Sequence, residues 1–409
     1  MEDDNIMFKK KDDSNKKKFT SIETVMLVIM SLIIGLSIGF LFSKTSIITK
    51  KMVISDENLQ ELVKTYEYIL NNYYEEIDKR ELVNSAINGM MDSLEDPYSM
   101  YFDKTSSDNF SITLDGSYKG IGVQITKVEE SGNILITTVF KNSPADVAGL
   151  KPGDEIIEID GQLAKDYEIE QFSNIIKNTE KENFSLKILR NGEHQIINLK
   201  RSLVTLDSVS SNIYERNNKK IGYIYIGIFA NNTYFQFKDM LDELEKKEID
   251  SLIIDVRGNS GGHLTAVDSI LDIFLTKDQK MYGFNQNGKT SYIYGSGEDN
   301  KEYEIVLLGD ETSASASEVL ISGLQENLGS KFIGKKTYGK GTVQEMVTLS
   351  DGSQYKLTIK KWLTPKGNWI NDTKGIIPDI EVSLDEKFFE TLSDEDDTQL
   401  IKAIKYLSE

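Results

Sequence analysis

Three serines and a carboxylate crowd one short run, Ser313-Ala314-Ser315-Ala316-Ser317-Glu318, ahead of an apolar helical pattern that closes at Gly329. A serine at a helix start satisfies free amides, so capping alone accounts for such a run. A nucleophile placed there gains more, because main-chain N–H groups and the positive end of the helix dipole face a developing oxyanion. The alanines leave room for a substrate carbonyl. A serine hydroxyl also needs a base, and the second run, Thr337-Tyr338-Gly339-Lys340-Gly341-Thr342-Val343-Gln344, offers Lys340 between two glycines. Burial without an acidic partner lowers a lysine from ~10.4 towards ~7–8, where it can take a proton. Alone, Lys340 reads first as a surface charge on a loop. If 340–344 is extended, residues 340, 342 and 344 share one face, and Gln344 can position the lysine. The two histidines serve less well as bases. His194 sits in a polar hairpin and reads as a surface residue; His263 follows Gly261-Gly262 and could line a site.

The elements around these runs change character along the chain. Segments 56–74 and 79–94 read as amphipathic helices within an N-terminal helical region, 55–110. Region 112–202 shows short alternating strands and glycine turns, interrupted by a helix at 169–178, as in a compact β-rich module. From 203 to 385 apolar strands (221–228, 249–256, 304–308) alternate with helices (233–247, 264–275, 317–328), which indicates parallel sheet. A helical extension, 386–409, closes the chain. The fold class is therefore α+β with an α/β C-terminal part.

Taken together, the two runs resemble the C-terminal processing peptidases, tail-specific serine proteases with a Ser–Lys dyad. The resemblance implies Ser315 as nucleophile, Lys340 as general base and Gln344 as its orienting partner. Asp255-Val256-Arg257-Gly258-Asn259-Ser260-Gly261-Gly262 matches the family's glycine turn, with Ser260 where a proline is usual and His263 where an apolar residue is usual. By that analogy the oxyanion hole takes amides from the pair Gly261 and Gly262 and from Ala316, and which glycine contributes stays open. The motifs 363–367 and 375–379 match as well. The family further implies a crotonase-like catalytic domain and no metal or cofactor.

Lys119-Gly120-Ile121-Gly122-Val123 resembles the carboxylate-binding loop of a PDZ domain, and 143–161 extends the match. Successive loop amides form an anion-accepting nest, and a strand edge beside them pairs with an extended peptide. Gly120, Ile121, Gly122 and Val123 are the candidate peptide-binding residues, and substrates with free, apolar C-termini are implied. In relatives an Arg near the end of the PDZ helix can gate the dyad; Lys177 lies near that position here, and recruitment and gating both stay open.

Composition sets the outer limits. The chain has 409 residues and a formal net charge of −19, which argues against nucleic-acid partners. It contains no cysteine, which removes disulfides, thiolate zinc sites and cysteine nucleophiles. Segment 25–42 is free of charge and follows six lysines in the tail 1–24. It reads as a retained transmembrane signal-anchor with the N-terminus in the cytoplasm and the body outside it. A cleaved signal peptide and a buried helix are the alternatives. The N-terminal helices could support a homodimer. The rival to a peptidase is a PDZ scaffold with a decayed site, against which the intact Ser315, Lys340 and Gln344 count.

Overall fold

The computed structural model describes residues 56–178, 181–298 and 301–409. The apolar segment 25–42 lies outside the described residues, among which no helix is long and apolar enough to cross a membrane. The chain divides into two compact units, one running to Ala86 and one from Ile87 to Glu409. In the first, α1 (Glu57–Asn72) starts at Asp56, whose carboxylate accepts from the amides of Asn58 and Leu59. None of its residues is buried, and Leu62, Val63 and Tyr68 are exposed. α2 (Lys79–Asp92) begins in this unit.

The second unit opens with β1 (Met100–Phe102) and α3 (Lys104–Asp115). α3 is a helix that the sequence pattern does not announce, since Ser, Thr, Asn and Asp fill two thirds of it. Its ends explain it: Asp103 caps the amide of Ser106, and Gly116 closes it in the left-handed conformation.

The β-rich module follows. β2 (Ser117–Gly120) and β9 (Ser202–Thr205) pair antiparallel where the chain enters and leaves it. Between them lie β3 (Val123–Lys127), β4 (Ile134–Val139), a short α4 (Pro144–Val147), β5 (Glu155–Ile159), β6 (Gln162–Leu163), α5 (Ile169–Asn178), β7 (Asn183–Arg190) and β8 (Glu193–Lys200). The sheet order is β3-β4-β5-β7-β8, with β6 on β5. Alternate residues such as Ile134, Ile136, Leu186 and Ile188 meet Phe172 of α5 in its core. His194 is exposed on β8, as its hairpin context implies.

The α/β part is built on a six-stranded sheet of β10 (Val209–Arg216), β11 (Lys219–Ile226), β12 (Ser251–Asp255), β15 (Glu304–Gly309), β16 (Lys331–Gly334) and β19 (Ile380–Glu381), adjacent in that order. Only the β10–β11 pair is antiparallel. Every residue of β12 is buried, as a strand covered on both faces requires. One face packs on α6 (Thr233–Glu245), α7 (Leu264–Asp272) and α8 (Ala316–Leu328), and the other on α11 (Thr398–Ser408). A second, antiparallel sheet joins β1 to β13 (Lys280–Gln286), β14 (Lys289–Tyr294), β17 (Thr342–Thr348) and β18 (Gln354–Leu363). The short α9 (Ile370–Thr373) and α10 (Glu386–Thr391) complete the chain's described elements. The expected strands and helices appear with ends shifted by a few residues; α8, for example, begins at Ala316, just after Ser315.

Candidate active site

β15 delivers the chain to the turn 310–315, and Ser315 sits half-buried at the N-cap of α8 with φ 55 and ψ −114. That conformation is strained for a residue with a side chain, and such strain concentrates at functional turns. Its neighbours are tied down. The Ser313 hydroxyl donates to the Val256 carbonyl, and the Ser317 hydroxyl donates to the Asn259 carbonyl, both at 2.8 Å. Both flanking serines thus staple this turn to the glycine turn, while Ser315 lies between them.

The glycine turn packs directly against Ser315. A Cβ at Gly261 (φ 111) would lie 2.9 Å from both the Ala314 carbonyl oxygen and the Ser315 Cβ. A Cβ at Gly262 (φ 140) would lie 2.2 Å from the Phe229 carbonyl oxygen, so neither position tolerates a side chain. The Gly261 amide donates to the side-chain oxygen of buried Asn259 at 2.8 Å. The amides of Gly262 and Ala316 have no acceptor among the described residues, and Gly262 is exposed. The amide that Asn259 occupies is therefore Gly261's, which leaves Gly262 and Ala316 as the donors on offer.

Glu318 joins this turn to the lysine. It is fully buried on the first turn of α8, and its two oxygens accept four hydrogen bonds. One oxygen takes the Thr337 hydroxyl at 2.6 Å and the Gly339 amide at 2.7 Å. The other takes the Ser315 amide at 2.8 Å and the Lys340 amide at 2.9 Å. Burial pushes the Glu318 carboxyl up, while these four donors pull it down. The S-x-x-E pattern announces the bond back to Ser315. Nothing in the sequence announces the other three.

Lys340 precedes β17 rather than lying in it. Its carbonyl accepts from the Trp362 indole at 2.7 Å, and the Gly341 carbonyl accepts from Trp369 at 2.8 Å. Its Nζ stands 4.9 Å from the Tyr98 ring centroid. Its ammonium is pushed down to about 8, chiefly by burial and then by the nearby charge of Lys356, against the pull of Glu318 and Asp96. Gln344 lies on β17, where its side-chain nitrogen donates to Thr342 at 2.9 Å and Thr358 at 3.1 Å. Among the described residues no hydrogen bond joins it to Lys340. His263 starts α7, and its Nε2 is buried without a partner in the described structure.

A buried ionic network backs the glycine turn. Arg257 reaches Asp255 from one side and Asp397 and Gln399, at the start of α11, from the other. Tyr223 adds a bond to Asp255 at 2.8 Å.

In the β-rich module Gly120 ends β2, Ile121 and Gly122 form the link and Val123 opens β3, with Gly122 at φ 81 against Ser143. The Ile121 carbonyl accepts from the Ala145 amide at 2.9 Å. The Tyr118 ring covers Gly120. Lys177 ends α5, where Arg201 donates to the carbonyls of Ile176 and Lys177. An arginine therefore does cap this helix, supplied from the end of β8 rather than from α5. A cleft of about 890 Å³ separates α5 from α3 and β2 and is lined by Lys104, Asp108, Tyr118, Ser173 and Lys177 among others.

Comparison with known proteins gives the family of the chain. The model of peptidase family S41 matches residues 220–382, that of the PDZ domain 135–190, and that of the activating protease CtpB N-terminal domain 42–106. The carboxy-terminal processing protease CtpB of Bacillus subtilis (strain 168) is 40% identical over 336 residues, covering 81% of this chain and 69% of that protein. A probable CtpA-like serine protease of Staphylococcus aureus (strain COL) is 31% identical over 368 residues, covering 89% and 72%. The solved photosystem II D1 C-terminal processing protease is 24% identical, covers 81% of this chain and 88% of its own, and superposes with a TM-score of 0.47. The chain thus belongs to peptidase family S41, among the carboxy-terminal processing serine proteases that carry a PDZ domain.

Proposed function

We propose that the chain cleaves polypeptides through an acyl-enzyme on Ser315, with Lys340 as general base, and selects them by their free C-terminal tails. One observation carries this reading: a single Glu318 oxygen accepts both the Ser315 and the Lys340 amides, which fixes the two main chains side by side. In the scheme, the neutral Lys340 amine takes the hydroxyl proton as Ser315 Oγ attacks the scissile carbonyl carbon. The ammonium returns that proton to the leaving amine as the C–N bond breaks. Water then attacks the ester, Lys340 again takes and returns a proton, and the free serine and a carboxylic acid result. The amides of Gly262 and Ala316 stabilise the oxyanion, since that of Gly261 is committed to Asn259. Gln344, which the family resemblance makes the orienting partner of Lys340, reaches it in this scheme by turning from Thr342 and Thr358.

In this reading the 120–123 run of the PDZ domain receives the substrate's terminal carboxylate. Segment 25–42 anchors the enzyme in a membrane with the body outside the cytoplasm, and the catalytic domain is crotonase-like. The exposed Leu62, Val63 and Tyr68 of α1 support a homodimer through the N-terminal helices.

The test mixes the full-length chain, in detergent micelles, with an unfolded protein that ends in an apolar carboxylate and with its amidated twin. Products are read by mass spectrometry. The expected result is cleavage of the first, much slower cleavage of the twin, and none by Ser315→Ala. Equal cleavage of both twins refutes selection by the tail, and cleavage that survives Ser315→Ala refutes the acyl-enzyme.

A further inference from the structure

A second half-buried lysine has no part in the scheme above. Lys356 lies on β18, opposite Met100 of β1 and Met346 of β17. Its Nζ stands 5.6 Å from the Phe102 ring centroid and 5.5 Å from that of Phe110. Those rings stack on each other 5.2 Å apart. Among the described residues no carboxylate oxygen lies within ion-pair distance of it. A cation held over aromatic faces with no counter-ion acts on its surroundings mainly through its charge.

Those surroundings include Lys340. Along β18, residues 356 and 358 share one face. Thr358 bonds Gln344 across the ladder, and Gln344 bonds Thr342 two residues after Lys340. The turn 96–99 is fastened over this row. Asp96 accepts from the Ser99 hydroxyl at 2.6 Å, and that hydroxyl accepts from the Thr358 amide at 3.0 Å. Asp96 thus acts on both lysines, while Tyr98 of the same turn lies under Lys340.

We propose that Lys356 is a positioning residue that works through Lys340: its charge, bracketed by Phe102 and Phe110, opposes protonation of the dyad lysine. This keeps a neutral amine available near neutral pH. The proposal rests on the reading of Lys340 as the base. A nearby cation disfavours an ammonium, so Lys356 lowers the proton affinity of Lys340, and its removal raises it. The groups facing Lys340 are Lys356 from β18, Glu318 from α8, Asp96 and Tyr98 from the turn 96–99, and Tyr338 from its own loop. Lys356 is the second largest cause of its lowered value, after burial, and Asp96 pulls the other way. The Tyr98 phenol is itself pushed up by burial and carries no charge at neutral pH.

The test is the pH profile of kcat/KM for the full-length enzyme and four variants. Lys356→Met moves the rising limb up by about one pH unit. Below the limb that is about a tenfold loss, recovered at higher pH. Lys356→Arg keeps the charge and leaves the limb in place. Asp96→Asn, whose one amide oxygen can keep the Tyr98 amide while its NH₂ donates to the Ser99 hydroxyl oxygen, removes the charge and moves the limb down. A limb unmoved in Lys356→Met, a loss equal at every pH, or a shift of the same sign in Asp96→Asn overturns the proposal. If Lys356→Met melts at the assay temperature, Lys356→Gln, also uncharged, is read in its place, with the same shift expected and an unmoved limb overturning the proposal. Lys340→Ala separates the two claims: if it stays active, the reading of Lys340 as base fails. If it is dead while the limb of Lys356→Met stays put, only the tuning fails.

Discussion

Replacing Glu318 by Gln is the perturbation that discriminates best, because one buried carboxylate accepts four donors. An amide oxygen can accept only one of the two pairs. The other pair then faces an NH₂ group, so either the Ser315 and Lys340 amides or the Thr337 hydroxyl and Gly339 amide lose their acceptor. A buried donor left unpaired costs about 1–3 kcal/mol, so two cost about 2–6 kcal/mol before the loops relax. If about 3 kcal/mol of that is felt in the transition state, kcat/KM falls by roughly a hundredfold. The charge acts separately. Glu318 holds the Lys340 ammonium up, so its neutralisation moves the Lys340 limb to lower pH. The assay is kcat/KM against pH, with thermal melting alongside. We expect a folded variant with a lower melting temperature, a limb displaced downward, and a loss that no pH recovers. Activity within threefold of wild type and an unchanged melting curve would refute the claim that Glu318 aligns the two segments.

Further predictions concern the groups around this pair. Gly261→Ala places a methyl 2.9 Å from the Ser315 Cβ and should abolish turnover while the PDZ domain still binds peptide, read by fluorescence anisotropy. Arg257→Met leaves Asp255 and Asp397 buried without their cation and should cost about 3–5 kcal/mol, read as a lower urea midpoint. Asp268 accepts from Tyr282 in a site whose burial pushes its carboxyl up to about 6. The folded protein therefore holds this proton more tightly than the unfolded chain, where an aspartate titrates near ~3.9. Its contribution is greatest at low pH and is lost as pH rises through about 6, so Asp268→Asn should flatten that part of the stability curve.

How much of this was legible depended on where the physical signal lay. β12 and β15 announce themselves, because strands buried on both faces must be continuously apolar. The helix starting at Ala316 is legible from its capping signature. β13, β14, β17 and β18 are less so: Lys280, Lys289, Lys356, Lys360 and Lys361 interrupt their alternation, and the lysines are accommodated by aromatic faces such as Tyr292, Phe284 and Trp369. The candidate pair Ser315 and Lys340 came from the family resemblance of their two runs, since residue types alone leave the serine a helix cap and the lysine a surface charge. The groups that tune the pair were not legible. Asp96, Tyr98 and Lys356 come from distant segments, and only the folded contacts bring them to Lys340. That the Gly261 amide is already taken by Asn259 likewise shows only in the folded contacts.

The most direct measurement is kcat/KM against pH for the full-length wild type, Ser315→Ala and Lys340→Ala on one peptide ending in a free apolar carboxylate. The account predicts a rising limb near pH 8 in the wild type, set by Lys340, and no measurable turnover in either variant. Turnover in Lys340→Ala with the same limb would contradict it, because the proton would then be taken by another group.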